Sequence, residues 1–191
     1  MADGKVQLDA ADFSNMDVEA RVKSLADVDV SEIGQRYKMQ EELGSGAQAT
    51  VYKGQNKKSG GKVAIKVLEQ AELEDDELFD ALRMEVGLLK QLNHPYVCNM
   101  IEVVRDREHI YIIMECLGGG ELFEHLLAKG PFKEDYALAI FAQVVLATHY
   151  LHEKDVVHRD LKAENIVFAA KGSPVIKFID FGGACTWTPD E

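Results

Sequence analysis

His158-Arg159-Asp160-Leu161-Lys162-Ala163-Glu164-Asn165 and, further on, Asp180-Phe181-Gly182 are the stretches on which the reading of this 191-residue chain turns. Between them, Ile166–Phe168 and Val175–Ile179 read as short strands around the turn Lys171-Gly172-Ser173-Pro174. The first stretch therefore leads into a strand and the second leaves one. Both come in that order, downstream of a strand that carries a single lysine, and chance does not supply such an arrangement.

Upstream, from Tyr37, the texture is that of short strands. Tyr37–Gly44 and Ala49–Gly54 flank a glycine-containing turn, Asn56–Gly61 is a polar loop, and Lys62–Leu68 alternates as a strand. Gly44-Ser45-Gly46-Ala47-Gln48-Ala49-Thr50-Val51 thus lies between two strands, where backbone N–H groups can fold over an anion and glycines let main chain approach a phosphate closely. A Gly-x-Gly turn also serves a plain hairpin. Val63-Ala64-Ile65-Lys66 places one lysine on an otherwise apolar strand. Taken alone, such a lysine reads as a strand-edge charge; facing inward, it needs an anionic partner, and Glu85 on the following helix supplies one. That helix follows from Glu74-Asp75-Asp76-Glu77, whose charge suits a helix start, and from Leu78, Leu82, Val86 and Leu89, spaced for one face through Gln91. His94-Pro95 ends it, and strands at Met100–Arg105 and His109–Glu115 follow.

Past the link Leu117-Gly118-Gly119-Gly120 the pattern turns helical. Glu121–Ala128 comes first and then, after Gly130-Pro131, Lys133–Glu153, with Ala137, Ile140, Phe141, Val144 and Thr148 lining one face. A strand-rich block before a helical block implies an α+β chain of two lobes with a cleft between them. Residues 1–36 hold eight acids against four bases with no sustained period, and read as a mobile acidic extension with a short helix around Asp17–Ala26. A calcium loop from Asp27 is excluded, because its sixth position is Glu32 rather than glycine and its twelfth is Lys38 rather than glutamate.

A net charge of -12 argues against nucleic acid as a partner and favours basic ones. Cys98, Cys116 and Cys185 form neither a Cys-x-x-Cys pair nor an even framework, and so read as reduced thiols. No signal peptide is visible, and the longest apolar run, Ala137–Ala147, is broken by Gln143 and falls short of the ~18 residues a membrane span needs. The expectation is a soluble protein of the cytoplasm, or of the nucleus, with no membrane partner.

From about Tyr37 to Trp187 the sequence resembles eukaryotic protein kinases. The first stretch matches their catalytic-loop pattern His-Arg-Asp-x-x-x-x-Asn, the second their Asp-Phe-Gly triplet. Met114-Glu115-Cys116-Leu117-Gly118-Gly119-Gly120-Glu121-Leu122-Phe123 looks most like the calcium/calmodulin-dependent group and its calcium-dependent relatives. The resemblance implies a bilobal kinase-like fold: an acidic extension at 1–36, then a kinase domain at 37–191, with an antiparallel-sheet N-lobe and one regulatory helix at 37–116 and a partial helical C-lobe at 117–191. It also implies ATP-dependent phosphorylation of serine or threonine in a protein or peptide substrate, with ATP and Mg²⁺ as cofactors.

By the same resemblance, Asp160 orients the substrate hydroxyl, Lys162 meets the transferred phosphate and favours serine or threonine over tyrosine, and Lys66, paired with Glu85, grips the α- and β-phosphates. Asn165 and Asp180 hold Mg²⁺, a cation that prefers oxygen ligands. Leu43, Gly44 and Gly46 cover the nucleotide; Val51 and Ala64 above and Val167 below enclose adenine. Glu115 and Leu117 give backbone hydrogen bonds, with Met114 as gatekeeper. Leu89, Met100, His158 and Phe181 stack into a spine. Glu121 and Glu164 contact upstream arginines, or else Glu121 meets only ribose. The sequence departs from the pattern at Ala49, where a third glycine is usual, at Ala163, in place of proline, and at Gly183. Nothing after Asp180 resembles the Ala-Pro-Glu element. The expectation is therefore a truncated kinase whose Lys133–Glu153 helix leaves an apolar face for a partner to cover. Two readings stand: an active kinase, or an ATP-binding or decoy module without catalysis.

Overall fold

Alternation along Lys62–Glu69 sorts side chains onto two faces of a sheet, and both faces are covered. A computed structural model describes residues 16–25, 33–46 and 49–187. They divide into two units: one takes the described residues from 16 to 86 together with Met100–Cys116, the other Gly87–Asn99 and the described residues from Leu117 on.

The first unit is an antiparallel sheet of β1 (Tyr37–Ser45), β2 (Thr50–Asn56), β3 (Lys62–Glu69), β4 (Met100–Arg105) and β5 (His109–Glu115), in spatial order β1-β2-β3-β5-β4. Short connections of the hairpin kind explain β1-β2-β3; the crossover to β5 and back to β4 leaves room for a helix after β3. Val63 and Ile65 share one face with Ile113 and Tyr111, and pack with Val104, Tyr37 and Ile33, the last from the short α2 (Ile33–Arg36) that leads into β1. On the opposite face, Leu68, Ile110, Ile112 and Val103 pack with Phe79, Leu82 and Val86 of α3 (Asp76–Gln91). Asp75 starts α3 in the manner of an N-cap, its carboxylate accepting hydrogen bonds from the backbone N–H groups of Glu77 (2.9 Å) and Leu78 (3.1 Å). Before it, the acidic run forms a 3-10 turn, Gln70–Glu74, that the sequence pattern does not announce.

The segment 1–36 departs from expectation. Where it is described it is packed rather than mobile: α1 (Val18–Leu25) is capped by Asp17, whose carboxylate accepts from Ala20 N–H at 2.8 Å, and it buries Arg21, Val22 and Leu25. An apolar stripe at positions 18, 22 and 25 is enough to seat two turns of helix on an existing core. Residues 1–15 and 26–32, the rest of the expected extension, lie outside the described residues.

In the second unit, α4 (Leu122–Lys129) and α5 (Glu134–Glu153) pack with a small hairpin, β7 (Ile166–Phe168) against β8 (Ile176–Phe178), and with a separate antiparallel pair, β6 (Val156–Val157) against β9 (Cys185–Thr186). The segment after α3 is stitched to this unit: Cys98 N–H donates to the Phe178 carbonyl at 2.9 Å, and the His94 ring stacks on Tyr150 of α5 at 4.6 Å. The expected buried face of α5 holds at Ile140 but fails at Phe141, which is 63% exposed, and at Ala137; the buried stripe continues instead through Ala147 and Leu151. The helix is apolar nearly all round, so spacing alone could not choose the face. Among the described residues no helix is long and apolar enough to cross a membrane.

The link between β5 and α4 is held by main chain. Gly118 N–H donates to the Ala169 carbonyl (3.1 Å), Gly119 N–H to that of Phe168 (3.0 Å), and Phe168 N–H to that of Gly120 (3.0 Å). A Cβ on Gly119 would stand 2.4 Å from the Phe168 Cβ and 2.5 Å from its carbonyl oxygen. Two backbones can run this close only through glycine. Gly119→Ala is expected to destabilise the protein by about 2 kcal/mol or more, the scale of an overpacked core, seen as a lower urea midpoint at unchanged slope.

Candidate functional site

Lys66 owes its position to the register of β3. It lies opposite Val51 on β2 and Ile112 on β5, while Ala64 lies opposite Met114. Directly paired residues share a face, so Val51, Ala64, Lys66 and Met114 lie together on the face that α3 partly covers. The Lys66 ammonium donates to both Glu85 carboxylate oxygens, at 2.6 and 2.8 Å, and the Glu85 side chain is only 7% exposed. A carboxylate so deep in an apolar setting is retained only with such a partner.

Leu43, Gly44 and Gly46 belong to the exposed end of β1 and its turn. Gly44 pairs with Val51, and Gly46 N–H donates to the Ala49 carbonyl at 2.9 Å; Ala47 and Gln48, at the tip, lie outside the described residues. A Cβ built on Gly44 would meet nothing within 4 Å, and neither glycine has positive φ. The packing and backbone conformation of the chain itself thus do not require glycine at these positions. Glu115 closes β5 opposite Val63.

The remaining expected residues belong to the second unit. Glu121 starts α4, forms an isolated bridge with Val167, and is half-buried; burial, with the neighbouring Glu124 and Glu164 carboxylates, pushes its pKa up. Leu117 is half-buried in the link.

The loop from His158 is organised by hydrogen bonds around a few buried side chains. His158 is buried, bonds through Nε2 to the Ile179 carbonyl (3.1 Å) and lies 4.8 Å from the buried Phe181 ring. Asn165, also buried, donates from Nδ2 to the Asp160 carbonyl and to its carboxylate, both at 2.9 Å, while its own carbonyl accepts from Ile179 N–H at 3.0 Å. The Asp160 carboxylate also takes the Lys162 ammonium at 2.8 Å. The bond from Lys162, with that from Asn165, holds Asp160 below the usual carboxylate range, and Asp160 in turn raises Lys162. Asp180 is exposed, with φ 61°, and receives a long bond from Gly182 N–H (3.4 Å); Arg159, at φ 63°, donates from Nε to the Gly183 carbonyl at 2.5 Å. Left-handed backbone at two non-glycine residues of adjoining loops stores strain of the kind found where geometry serves chemistry.

Of the expected residues, then, Lys66 and Glu85 come together, as do Asp160, Lys162 and Asn165, and Glu121 with Val167. Two features escaped the sequence reading. One is the packing of α1 on α3, signalled only by the short stripe Val18, Val22, Leu25. The other is an apolar groove of about 630 Å³ along α4 and α5, whose walls include Leu126, Phe132, Leu138, Phe141, Val144 and Leu161. The sequence pointed to an open face on α5, but not to a groove shared with α4.

Known proteins share this organisation. The family model "Protein kinase domain" matches residues 37–191. Myosin light chain kinase A of Dictyostelium discoideum is 39% identical over 154 residues, which cover 80% of this chain and 52% of that protein. CBL-interacting serine/threonine-protein kinase 18 of Arabidopsis thaliana is 40% identical over 147 residues, 77% of this chain and 28% of that one. Maternal embryonic leucine zipper kinase of Danio rerio is 37% identical over 152 residues, 80% and 22% respectively. The chain thus spans about half the length of the first relative and under a third of the others. A match that begins at the first residue of β1 and runs through every element bearing the side chains described above is a match to the fold itself, and the chain belongs to the protein kinase family.

Proposed function

We propose that this chain carries out ATP-dependent phosphoryl transfer to serine or threonine in proteins. One observation carries the reading: an exposed carboxylate, Asp160, kept ionised and aimed by Lys162 and by the buried amide of Asn165. Phosphoryl transfer asks a protein mainly for positioning and charge neutralisation, and these residues supply both. Asp160 takes the hydrogen bond of the incoming hydroxyl and orients its oxygen. Lys162, a compact charge with three donors, then turns to the oxygens of the transferred phosphate. Lys66, held by Glu85, grips the α- and β-phosphates, while Gly44 and Gly46, without side chains, let main chain approach them closely. Val51, Ala64, Met114 and Val167 are the apolar surfaces for adenine, with main chain of Glu115 and Leu117 for its polar edge.

Magnesium fits the donors present. Asn165 spends its amide nitrogen on Asp160, leaving an amide oxygen, and Asp180 presents an exposed carboxylate. Among the described residues no group of three or more His, Cys, Asp or Glu could hold a metal alone, which suits an ion that keeps waters and phosphate oxygens in its shell. When bound, it neutralises and orients the triphosphate. Three free cysteines support a reducing, cytoplasmic or nuclear setting.

A second reading, nucleotide binding without transfer, is favoured by the apolar groove along α4 and α5. Leu138, Phe141, Val145 and Leu146 of α5 are exposed, and large apolar side chains gathered on one helix offer a surface to a partner. Two measurements on the same protein separate the readings: thermal stabilisation by Mg-ATP, and phosphate transfer to a basic peptide. Both together support the kinase reading, stabilisation alone the second, and neither refutes both. Asp160→Asn is expected to lower kcat by about 10²–10⁴-fold while Mg-ATP stabilisation persists; Lys66→Met is expected to lose the stabilisation itself.

We further propose a preference for basic peptides through Glu121 and Glu164, supported by the partial burial of Glu121 beside the Glu124 and Glu164 carboxylates, which together raise it. A guanidinium between such carboxylates relieves that repulsion. The sign with pH follows. A carboxyl raised above its unfolded value makes the folded chain more stable as pH falls through that raised value, but the charge that attracts arginine disappears over the same window. KM for an arginine-bearing peptide should therefore rise on acidification above the ordinary glutamate range, and Glu121→Gln should flatten that rise. A peptide KM indifferent to upstream arginine at every pH would dispose of the preference.

A further inference from the structure

Helix α1 packs on the same helix that presents Glu85, and its fixing point is a buried arginine. Val22 and Leu25 of α1 share one apolar cluster with Phe79, Leu82 and Val86 of α3 and with Leu68, Ile110 and Ile112 of the sheet. The Arg21 side chain beside them is 6% exposed. Its Nε donates to the Met16 carbonyl at 3.1 Å, Nη1 to the Leu73 carbonyl at 3.1 Å, and Nη2 to the Asp76 carboxylate, while the guanidinium carbon lies 5.2 Å from the centre of the Phe79 ring.

A buried guanidinium must satisfy its donors in a fixed planar fork, so it sets the positions of its partners more strictly than an apolar contact does. Apart from Met16, every one of these partners lies on the first turn of α3 or on the 3-10 turn that feeds it. Asp76 and Phe79 are followed at helical spacing by Leu82 and Val86, which face the same cluster, and by Glu85 on the adjoining stripe. A rigid helix held at its first turn by Arg21 and along its side by Val22 and Leu25 has little freedom to roll or withdraw, and Glu85 moves only if the helix does. Arg21 also sets a cation beside a run of acids, Glu72, Glu74, Asp75, Asp76 and Glu77, whose mutual repulsion otherwise works against ordering this corner.

We propose that α1 is an internal clamp on α3, and that Arg21 is a positioning residue which keeps Glu85 engaged with Lys66. The use of Lys66 on phosphates rests on the kinase reading; the effect of the clamp on the Lys66–Glu85 pair does not. The test uses the full chain and two readouts independent of activity. These are the acetylation rate of Lys66 by an N-hydroxysuccinimide ester, followed by peptide mass spectrometry, and amide hydrogen exchange along α3. Arg21→Ala should raise both by about tenfold, the scale on which losing charged hydrogen bonds shifts a local opening equilibrium, and Arg21→Lys should fall between it and the parent. Tyr37→Phe, which removes the hydroxyl bond to Glu102 in the same unit, is the control for general loosening; it should leave Lys66 labelling unchanged. Unchanged labelling in folded Arg21→Ala overturns the clamp, as does an equal rise in Tyr37→Phe. Should Arg21→Ala fail to fold, Arg21→Lys and Phe79→Leu decide by the same labelling: a rise supports the clamp, and none overturns it. Mg-ATP stabilisation is measured beside them. If the parent shows none, the kinase reading fails while the labelling still decides the clamp; if the parent is stabilised and Arg21→Ala is not, both stand.

Discussion

A lysine on the face of a sheet that a helix partly covers is tolerable only if something neutralises it, and much of this chain's first unit is arranged around that requirement. The Lys66–Glu85 pair joins β3 to α3 across a largely apolar interface. Removing either partner from such a pair strands a charge, at a cost of about 3–5 kcal/mol. The pair thereby constrains everything that sets its two ends. On the sheet side, a slip of one residue in β3 would send Lys66 to the other face, among Val104, Tyr111 and Ile113. On the helix side, Leu82 and Val86 flank Glu85 and key the helix into the cluster that also takes Leu68 and Ile112. Register and helix rotation are fixed by apolar packing, and their joint product is one ion pair.

The second unit meets its constraint differently, through strained backbone held by polar bonds. Arg159 and Asp180 both adopt left-handed conformations, each costing about 1–3 kcal/mol for a residue other than glycine. What offsets the strain is a short chain of contacts. The His158 imidazole meets the Ile179 carbonyl, Ile179 N–H meets the Asn165 carbonyl, the Asn165 amide holds Asp160 twice, and Arg159 Nε reaches the Gly183 carbonyl. Segments that precede and follow the β7–β8 hairpin are thus tied together at its base. Local conformational preference is broken where Asp160 and Asp180 are displayed, and satisfied in the hairpin that supports them.

How much of this was legible beforehand follows from which forces were local. The loop bearing Asp160 and Asn165 was legible because its chemistry demands particular residue types at fixed spacing. Glu85 was legible because it falls beside an apolar stripe of period 3.6 and downstream of one isolated lysine. The face of α5 was not, because Ala137, Leu138, Phe141, Val145 and Leu146 make the helix apolar on sides that the described fold leaves exposed. Nor was the docking of α1. Val18, Val22 and Leu25 make a stripe too short to stand out within an acidic stretch, and a lone arginine among acids reads as surface charge until Phe79, Leu73 and Asp76 are brought around it. Long-range burial, unlike spacing, leaves no mark in the residues near it.

The acidity of the chain likewise resolves into separate situations once the neighbours are known. Among the described carboxylates that leave their ordinary range, Glu41 is lowered by its bond from Lys53 and Asp160 by Lys162, while Asp106, despite burial, is lowered by the N–H groups of Glu108 and His109 and by the Tyr111 hydroxyl. Each has found its compensating donors within the fold. Glu121 alone moves the other way, raised by burial and by Glu124 and Glu164. Net charge therefore says little about where a cation would bind. An acid run such as Glu72–Glu77 already has Arg21 and the start of a helix to answer it, whereas the corner at Glu121 holds like charges in partial burial. A positive group brought there from outside would relieve that repulsion, and this is the ground of the preference for basic peptides proposed above.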